Sequence, residues 1–239
     1  MLTPTQNLME NLQKVRQRLA DAAAHHHRSV DSITVLAVSK GQTAAAIAAV
    51  ADLGVTHFGE NYLQEALPKI ATLAPRQLCW HFIGQLQSNK TRAVAEHFDW
   101  VHTVDRLKLA ERLSAQRPFH APPLRVCLQV RIGPELSKGG AEPDTLEALV
   151  DAVRSLPRLQ LRGLMCLPPA EADFAAQRRW FAELRELRDR VDPDRLRLPD
   201  LSMGMSGDLE AAVAEGATVV RIGTAIFGPR ASARVESGA

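Results

Sequence analysis

From residue 33 onward the chain alternates between two hydrophobic rhythms. Short runs rich in β-branched or aromatic residues, ITVLAVS (33–39), VTHFG (55–59), LCWHFIG (78–84), DWVHTV (99–104), LRVCLQV (124–130), LQLRGLMCL (159–167), DLSM (200–203) and TVVRIG (218–223), have the length and composition of strands. Between them the apolar positions recur at helical spacing, near 43–53, 61–72, 88–96, 106–116, 143–155, 172–191 and 207–215. The clearest stripe is in 172–191, where Phe174, Phe181, Leu184, Leu187 and Val191 line one face and Arg and Glu fill the other. A further amphipathic helix over 5–24, carrying Leu8, Leu12, Val15 and Leu19, precedes the first strand.

Strand followed by helix, eight times over, predicts an α/β fold and specifically a (β/α)8 TIM-like barrel with an extra N-terminal helix. A doubly wound open sheet shows the same alternation, but its first turn usually carries G-x-G-x-x-G, which is missing here. No Pro/Gly/Ser-rich linker divides the chain. The expectation is one domain over 1–239, with the helix inside 1–30 packed on it and a flexible tail over 231–239.

Composition narrows the class. Twenty-nine Lys and Arg against 27 acids give a formal charge of +2, and no block of like charges occurs. This argues against a dedicated nucleic-acid or membrane-surface binder. No apolar run approaches the ~18 residues of a membrane span, and the N-terminus lacks the short apolar core of a secretory signal, so a cytoplasmic protein is expected. Cys79, Cys127 and Cys166 are far apart, each inside an apolar run, and read as buried unpaired thiols. His25–His27 project about 100° apart on a helix, poor geometry for one ion, so no metal is expected.

Candidate chemistry collects at strand ends, where barrels place their working residues. SMGMSGD (202–208) follows the seventh strand and RIGTAIFG (221–228) contains the end of the eighth. The first has two glycines and two serines leading into a helix at Asp208, the second a glycine and one hydroxyl at the start of a short helical stretch, and two such loops side by side at the usual phosphate-binding position predict an anionic ligand. Lys40 closes the first strand, a neighbour of the eighth in a closed barrel. A partly desolvated lysine loses its proton more readily and condenses with an aldehyde. An amine facing a phosphate cradle is what pyridoxal 5′-phosphate requires, although a solvated strand-end lysine is the plainer alternative. Arg221, between Val220 and Ile222, is costly in an apolar strand unless paired. Its partner is either a carboxylate or a pyridine nitrogen, which a guanidinium would keep unprotonated because it only donates.

These residues resemble the single-domain pyridoxal phosphate homeostasis proteins, similar to the N-terminal barrel of alanine racemase. The matching pieces are LAVSK, HFGENYLQE (57–65), WHFIGQLQSNK (80–90), SKGG (137–140), GLMCLPP (163–169) and LSMGMSGDLEAAVAEGATVVRIGTAIFGPR (201–230). The resemblance implies a fold-type-III barrel without the C-terminal β domain and a Schiff base on Lys40. It also implies phosphate contacts from Ser206, Gly223 and Thr224, Arg221 facing the pyridine nitrogen, and pocket positions for Asn61 and His81. Gly41-Gln42-Thr43 departs from the Thr-Lys-Pro that commonly follows the lysine, and Arg131 stands where asparagine is usual.

Racemising an amino acid through this cofactor needs a base on each face. Lys40 could serve one. The single tyrosine, Tyr62, does not occupy the racemase position, and Lys138 in ELSKGG reads as a solvated lysine. The resemblance therefore implies a non-enzymatic role in vitamin B6 homeostasis, buffering pyridoxal 5′-phosphate or delivering it to apo-enzymes, with a monomer expected. A weak amino-acid racemase is the alternative.

Overall fold

Strands form at all eight expected places in the computed structural model, which describes residues 3–134 and 139–229. They are β1 (Thr34–Val38), β2 (His57–Glu60), β3 (Cys79–Phe82), β4 (Trp100–Val104), β5 (Leu124–Gln129), β6 (Leu159–Met165), β7 (Asp200–Ser202) and β8 (Val219–Ile222). All pair in parallel and in chain order, and β1 closes the circle onto β8 with Thr34 opposite Val219 and Ala37 opposite Ile222. The sheet is thus a closed barrel, not an open doubly wound sheet. The β7–β8 seam is the thinnest, a single pair of Ser202 with Val219.

Helices α1 (Pro4–His25), α2 (Ala44–Asp52), α3 (Leu63–Leu73), α4 (Thr91–His97), α5 (Leu107–Gln116), α6 (Leu146–Arg154), α7 (Phe174–Val191) and α8 (Leu209–Ala214) follow the periodic segments. A one-turn α9 (Thr224–Phe227) comes after β8. The segments expected near 88–96 and 143–155 each open with a 3₁₀ turn, Ser88–Lys90 and Pro143–Thr145, before the α-helix begins. Ile47 and Val50 of α2, Leu109 and Leu113 of α5 and Leu184 of α7 are fully or almost fully buried, in one core with Phe58, Val126 and Leu164 of the strands. The tail over 231–239, Arg230 and Lys138 lie outside the described residues.

The barrel interior is chemically divided. Trp100, Cys127 and Met165 form a small apolar cluster there, beside the buried polar groups of His81, His102, Ser202 and Arg221. Outside, α1 packs across the end of the barrel circuit: Leu12, Val15 and Leu19 are buried, and Asn11 Nδ2 donates to the Ile226 carbonyl at 3.1 Å. No helix among the described residues is long and apolar enough to cross a membrane.

Candidate cofactor site

The β1 ladder stops at Val38, so Lys40 stands two residues beyond the strand, half-buried in the turn rather than ending the strand itself. Ser39 beneath it is buried and donates Oγ–H to Glu60 Oε1 at 2.7 Å, while its N–H donates to the Gly59 carbonyl. Lys69 of α3 donates to the same carboxylate oxygen at 2.9 Å and to the Ser39 carbonyl at 3.0 Å. Burial pushes the Glu60 pKa up against the opposing pull of Lys69 and Ser39. This compact ion pair ties the rim of β1 to that of β2 and fixes the turn that carries Lys40.

Lys40, Asn61, Ser206, Arg221, Gly223 and Thr224 line one cavity of roughly 360 Å³, with Val38, Ile83, Leu167, Met205 and Gly207 completing the wall. Six of the seven residues singled out from the sequence therefore meet. Gly204, one turn before Ser206, has φ of +91°, and a Cβ there would overlap that of Ala212. Only glycine lets β7 turn this tightly onto α8. The following loop is held from outside by α1: Arg18 Nη2 donates to the Ser206 carbonyl at 3.1 Å, and its guanidinium pairs with Glu210 at 2.7 and 2.8 Å.

His81 is the exception. It lies inside β3, not at the strand's end, and is 1% exposed and absent from the cavity wall. Side chains alternate along a strand, and this register turns its ring into the barrel. There it joins a continuous hydrogen-bonded chain: His57 Nδ1 to His81 Nε2, His81 Nδ1 to His102 Nε2, and His102 Nδ1 to Ser202 Oγ, each at 2.8 Å. The chain ends on Arg221, whose Nη1 donates to Ser202 Oγ at 2.8 Å and to the Ser202 carbonyl at 2.6 Å, while Nη2 donates to the Cys166 carbonyl at 2.8 Å.

The Ser202 hydroxyl has two lone pairs and one hydrogen, so while accepting from Arg221 it can either donate to His102 Nδ1 or accept from it. Two directions are therefore open to the chain: His102 donating from Nε2 to His81 and His81 from Nε2 to His57, or His57 donating to His81, His81 to His102 and His102 to Ser202. Burial, with the nearby Arg221 charge, lowers the His102 pKa to about 3. Burial likewise drives His81 well below its usual value, with the neighbouring imidazoles adding to the effect. All three rings are therefore neutral near pH 7. Sequence reasoning missed this chain, Glu60 and Lys69; the only signal was polar residues inside apolar runs, HTV and HFGE.

Arg221 is 4% exposed and pairs with no carboxylate among the described residues. Burial lowers its pKa, and carbonyl and hydroxyl oxygens hold it at the cavity wall. Asn61 Oδ1 is buried without a hydrogen-bond partner on the same wall. Both observations fit a heteroaromatic ligand with a ring acceptor for Arg221 and a donor for Asn61. Of the departures noted in sequence, Gln42 donates its backbone N–H to Ser39, and Arg131 pairs with Glu142. Neither lines this cavity.

Comparisons with known proteins agree on the family. Residues 5–231 match the alanine racemase N-terminal domain model. The pyridoxal phosphate homeostasis protein of Pseudomonas aeruginosa is 56% identical over 223 residues, 93% of this chain and 96% of the relative. That of Escherichia coli K12 is 49% identical over 230 residues, 94% and 97% respectively. PipY of Synechococcus elongatus, solved with PLP bound, has a TM-score of 0.77 at 42% identity, covering 90% of this chain and 100% of its own. Alanine racemase of Corynebacterium glutamicum shares the fold at TM-score 0.69 and 16% identity, with 98% of this chain matched to 64% of the racemase. The chain belongs to the alanine racemase N-terminal domain family, and within it to the pyridoxal phosphate homeostasis proteins.

Proposed function

We propose that the chain binds pyridoxal 5′-phosphate in the Lys40 cavity and serves in homeostasis of that cofactor, with little or no turnover of its own. The observation that carries this reading is the meeting of one lysine, one buried arginine with no carboxylate partner among the described residues, and two hydroxyl-bearing loops in a single cavity. Ser206, Gly223 and Thr224 would hold the phosphate. Lys40 would hold the aldehyde carbon as a Schiff base, and Arg221 would donate to the ring nitrogen. When bound, the cofactor supplies a reactive aldehyde and an electron-withdrawing ring.

What this chain's own residues do argues for storage rather than catalysis. Arg221 keeps its proton and can only donate, so it holds a ring nitrogen unprotonated and weakens the ring as an electron sink. Among the described residues the cavity wall has no second lysine and no histidine, tyrosine or carboxylate to act as a base on the opposite face. Tyr62 is 58% exposed and lines a neighbouring cavity instead, beside Gln85 and Lys90. The bound aldehyde would be protected, available to apo-enzymes that use it.

Borohydride treatment of the cofactor-loaded protein is expected to bleach its yellow colour and leave a mass increment on Lys40. Lys40→Ala is expected to lose that increment while its circular dichroism stays native. An increment on another lysine would overturn the assignment. Sustained interconversion of D- and L-alanine by the loaded protein would instead favour a weak racemase.

A further inference from the structure

The foot of the barrel, at the opposite end of the strands from Lys40, gathers three metal-ligating atoms that the cofactor reading does not use. His57 opens β2 and Cys79 opens β3, and the two are paired directly in register. His81 lies two residues beyond Cys79, so both of its strand's donors point to the same face. His57 Nδ1, Cys79 Sγ and His81 Nε2 all lie within 4.8 Å of one another. The nitrogens are 2.8 Å apart, and Cys79 Sγ is 3.4 Å from His81 Nε2.

We propose that His57, Cys79 and His81 bind a borderline d-block dication of the Zn²⁺ class, with one coordination position left to solvent. Tetrahedral Zn²⁺, at bonds of about 2.0 Å to nitrogen and 2.3 Å to sulfur, separates two nitrogens by about 3.3 Å and nitrogen from sulfur by about 3.6 Å. Of the two sulfur–nitrogen pairs, Cys79 with His81 is already near that spacing, and Cys79 with His57 lies within 4.8 Å. The imidazoles need to part by about half an ångström, a displacement that small χ1 and χ2 adjustments of two histidines supply. A thiolate with two imidazoles selects Zn²⁺ and its neighbours over Mg²⁺ or Ca²⁺, which take oxygen. His57 and Cys79 are half-buried, which leaves the foot open to an entering ion.

Charges around the site are mixed. Asp99 of the β3–β4 connection favours a cation and Arg125 of β5 opposes one, and both act on His57 and Cys79. As the sulfur–metal bond forms, the thiol proton passes to solvent, so the bound dication leaves the site with a net single positive charge. Coordination also fixes the imidazole chain. With Nε2 on the metal, His81 must carry its hydrogen on Nδ1 and donate to His102, which then donates to Ser202. Metal binding would thus select one of the two directions open to the metal-free chain, with Ser202 Oγ accepting from both His102 and Arg221, so an ion at the foot would be felt at the guanidinium on the cavity wall.

The test is a Co²⁺ titration of chelator-treated protein without pyridoxal 5′-phosphate, so it stands apart from the cofactor reading. One equivalent is expected to bind with a near-ultraviolet thiolate-to-cobalt band and the strong visible bands of tetrahedral Co²⁺, and Zn²⁺ is expected to erase both. Cys79→Ala, folded by circular dichroism, is expected to lose the thiolate band. His102→Ala, which removes the partner of His81 Nδ1, is expected to weaken binding roughly tenfold to a hundredfold. Should Cys79→Ala fail to fold, Zn²⁺ is expected to slow alkylation of Cys79 in the unaltered chain, and an unchanged rate would overturn the site. Absence of a thiolate band overturns it, as does a band that survives in folded Cys79→Ala. So does a spectrum of nitrogen and oxygen ligands alone, which is what binding at His25–His27 would give.

Discussion

Ser206 has two attachments, since it lines the cavity while its carbonyl accepts from Arg18. Ser206→Ala keeps the second and deletes only the hydroxyl. It is expected to weaken retention of pyridoxal 5′-phosphate by about 1–3 kcal/mol, the usual cost of one hydrogen bond to a charged group. Absorbance titration checks this, and an unchanged Kd would remove Ser206 from the site. Gly84 tests the wall from behind. A Cβ there would overlap the Asn61 backbone, so Gly84→Ala is expected to cost about 1–3 kcal/mol of stability in urea denaturation and to displace Asn61. Lys40, Arg221 and the two Gly-Ser/Thr loops were legible because each breaks the local rule for its place, an amine after a strand or a guanidinium within one. His81 was misplaced because motif position says nothing about which face of a strand a side chain takes. Ser202 and His102 went unread since a serine or histidine in a strand gains meaning only from a partner 100 residues away.

At the scale of elements, periodicity located every strand and every helix but α9, which the Gly223-Thr224 pair pointed to instead, and it overran most strand ends because apolar residues continue into the rims. LCWHFIG covers seven residues, yet the ladder of β3 uses only Cys79–Phe82. Ends are set by hydrogen bonds, and the exit from α7 shows how. Asp192 accepts the backbone N–H of Arg197 at 2.8 Å, that of Leu198 at 2.7 Å and the Arg197 Nε–H at 3.0 Å, folding the connection back toward β7. Burial works to raise its pKa, but these donors outweigh it and hold the carboxyl below its usual 3.8. A folded pKa below the unfolded one means that the stabilisation is present above about pH 4, the ordinary Asp range, and is lost as pH falls through the folded value. Asp192→Asn, which swaps one acceptor oxygen for a donor, is expected to cost about 1–3 kcal/mol near neutral pH. The same variant is expected to flatten the loss of stability below about pH 4. Urea midpoints measured across that range read both effects. A variant that loses stability in acid as steeply as the parent would show that other carboxylates set the slope.

Closure is the property that local pattern could not supply, because an open and a closed sheet share the same alternation of strand and helix. It depends on β1 meeting β8, whose paired residues Thr34 and Val219 are far apart in sequence. The same closure seats the first helix against the last two: Asn11 holds the Ile226 carbonyl of α9, and Arg18 holds both Glu210 of α8 and the Ser206 carbonyl. The two loops proposed to cradle the phosphate are thus braced by a helix that contributes no residue to the cavity wall. Arg18→Ala is expected to weaken binding of pyridoxal 5′-phosphate by about 0.5–1.5 kcal/mol, the net value of an ordinary hydrogen bond, while leaving the borohydride-dependent mass increment proposed for Lys40 unchanged. Arg76→Ala is the control, since it breaks a comparable ion pair with Asp52 that is remote from the cavity lining. The two variants are compared by cofactor titration at matched stability. If Arg18→Ala binds as the parent does, or if Arg76→Ala loses as much, bracing by α1 does not shape the cradle and the loops hold their conformation alone.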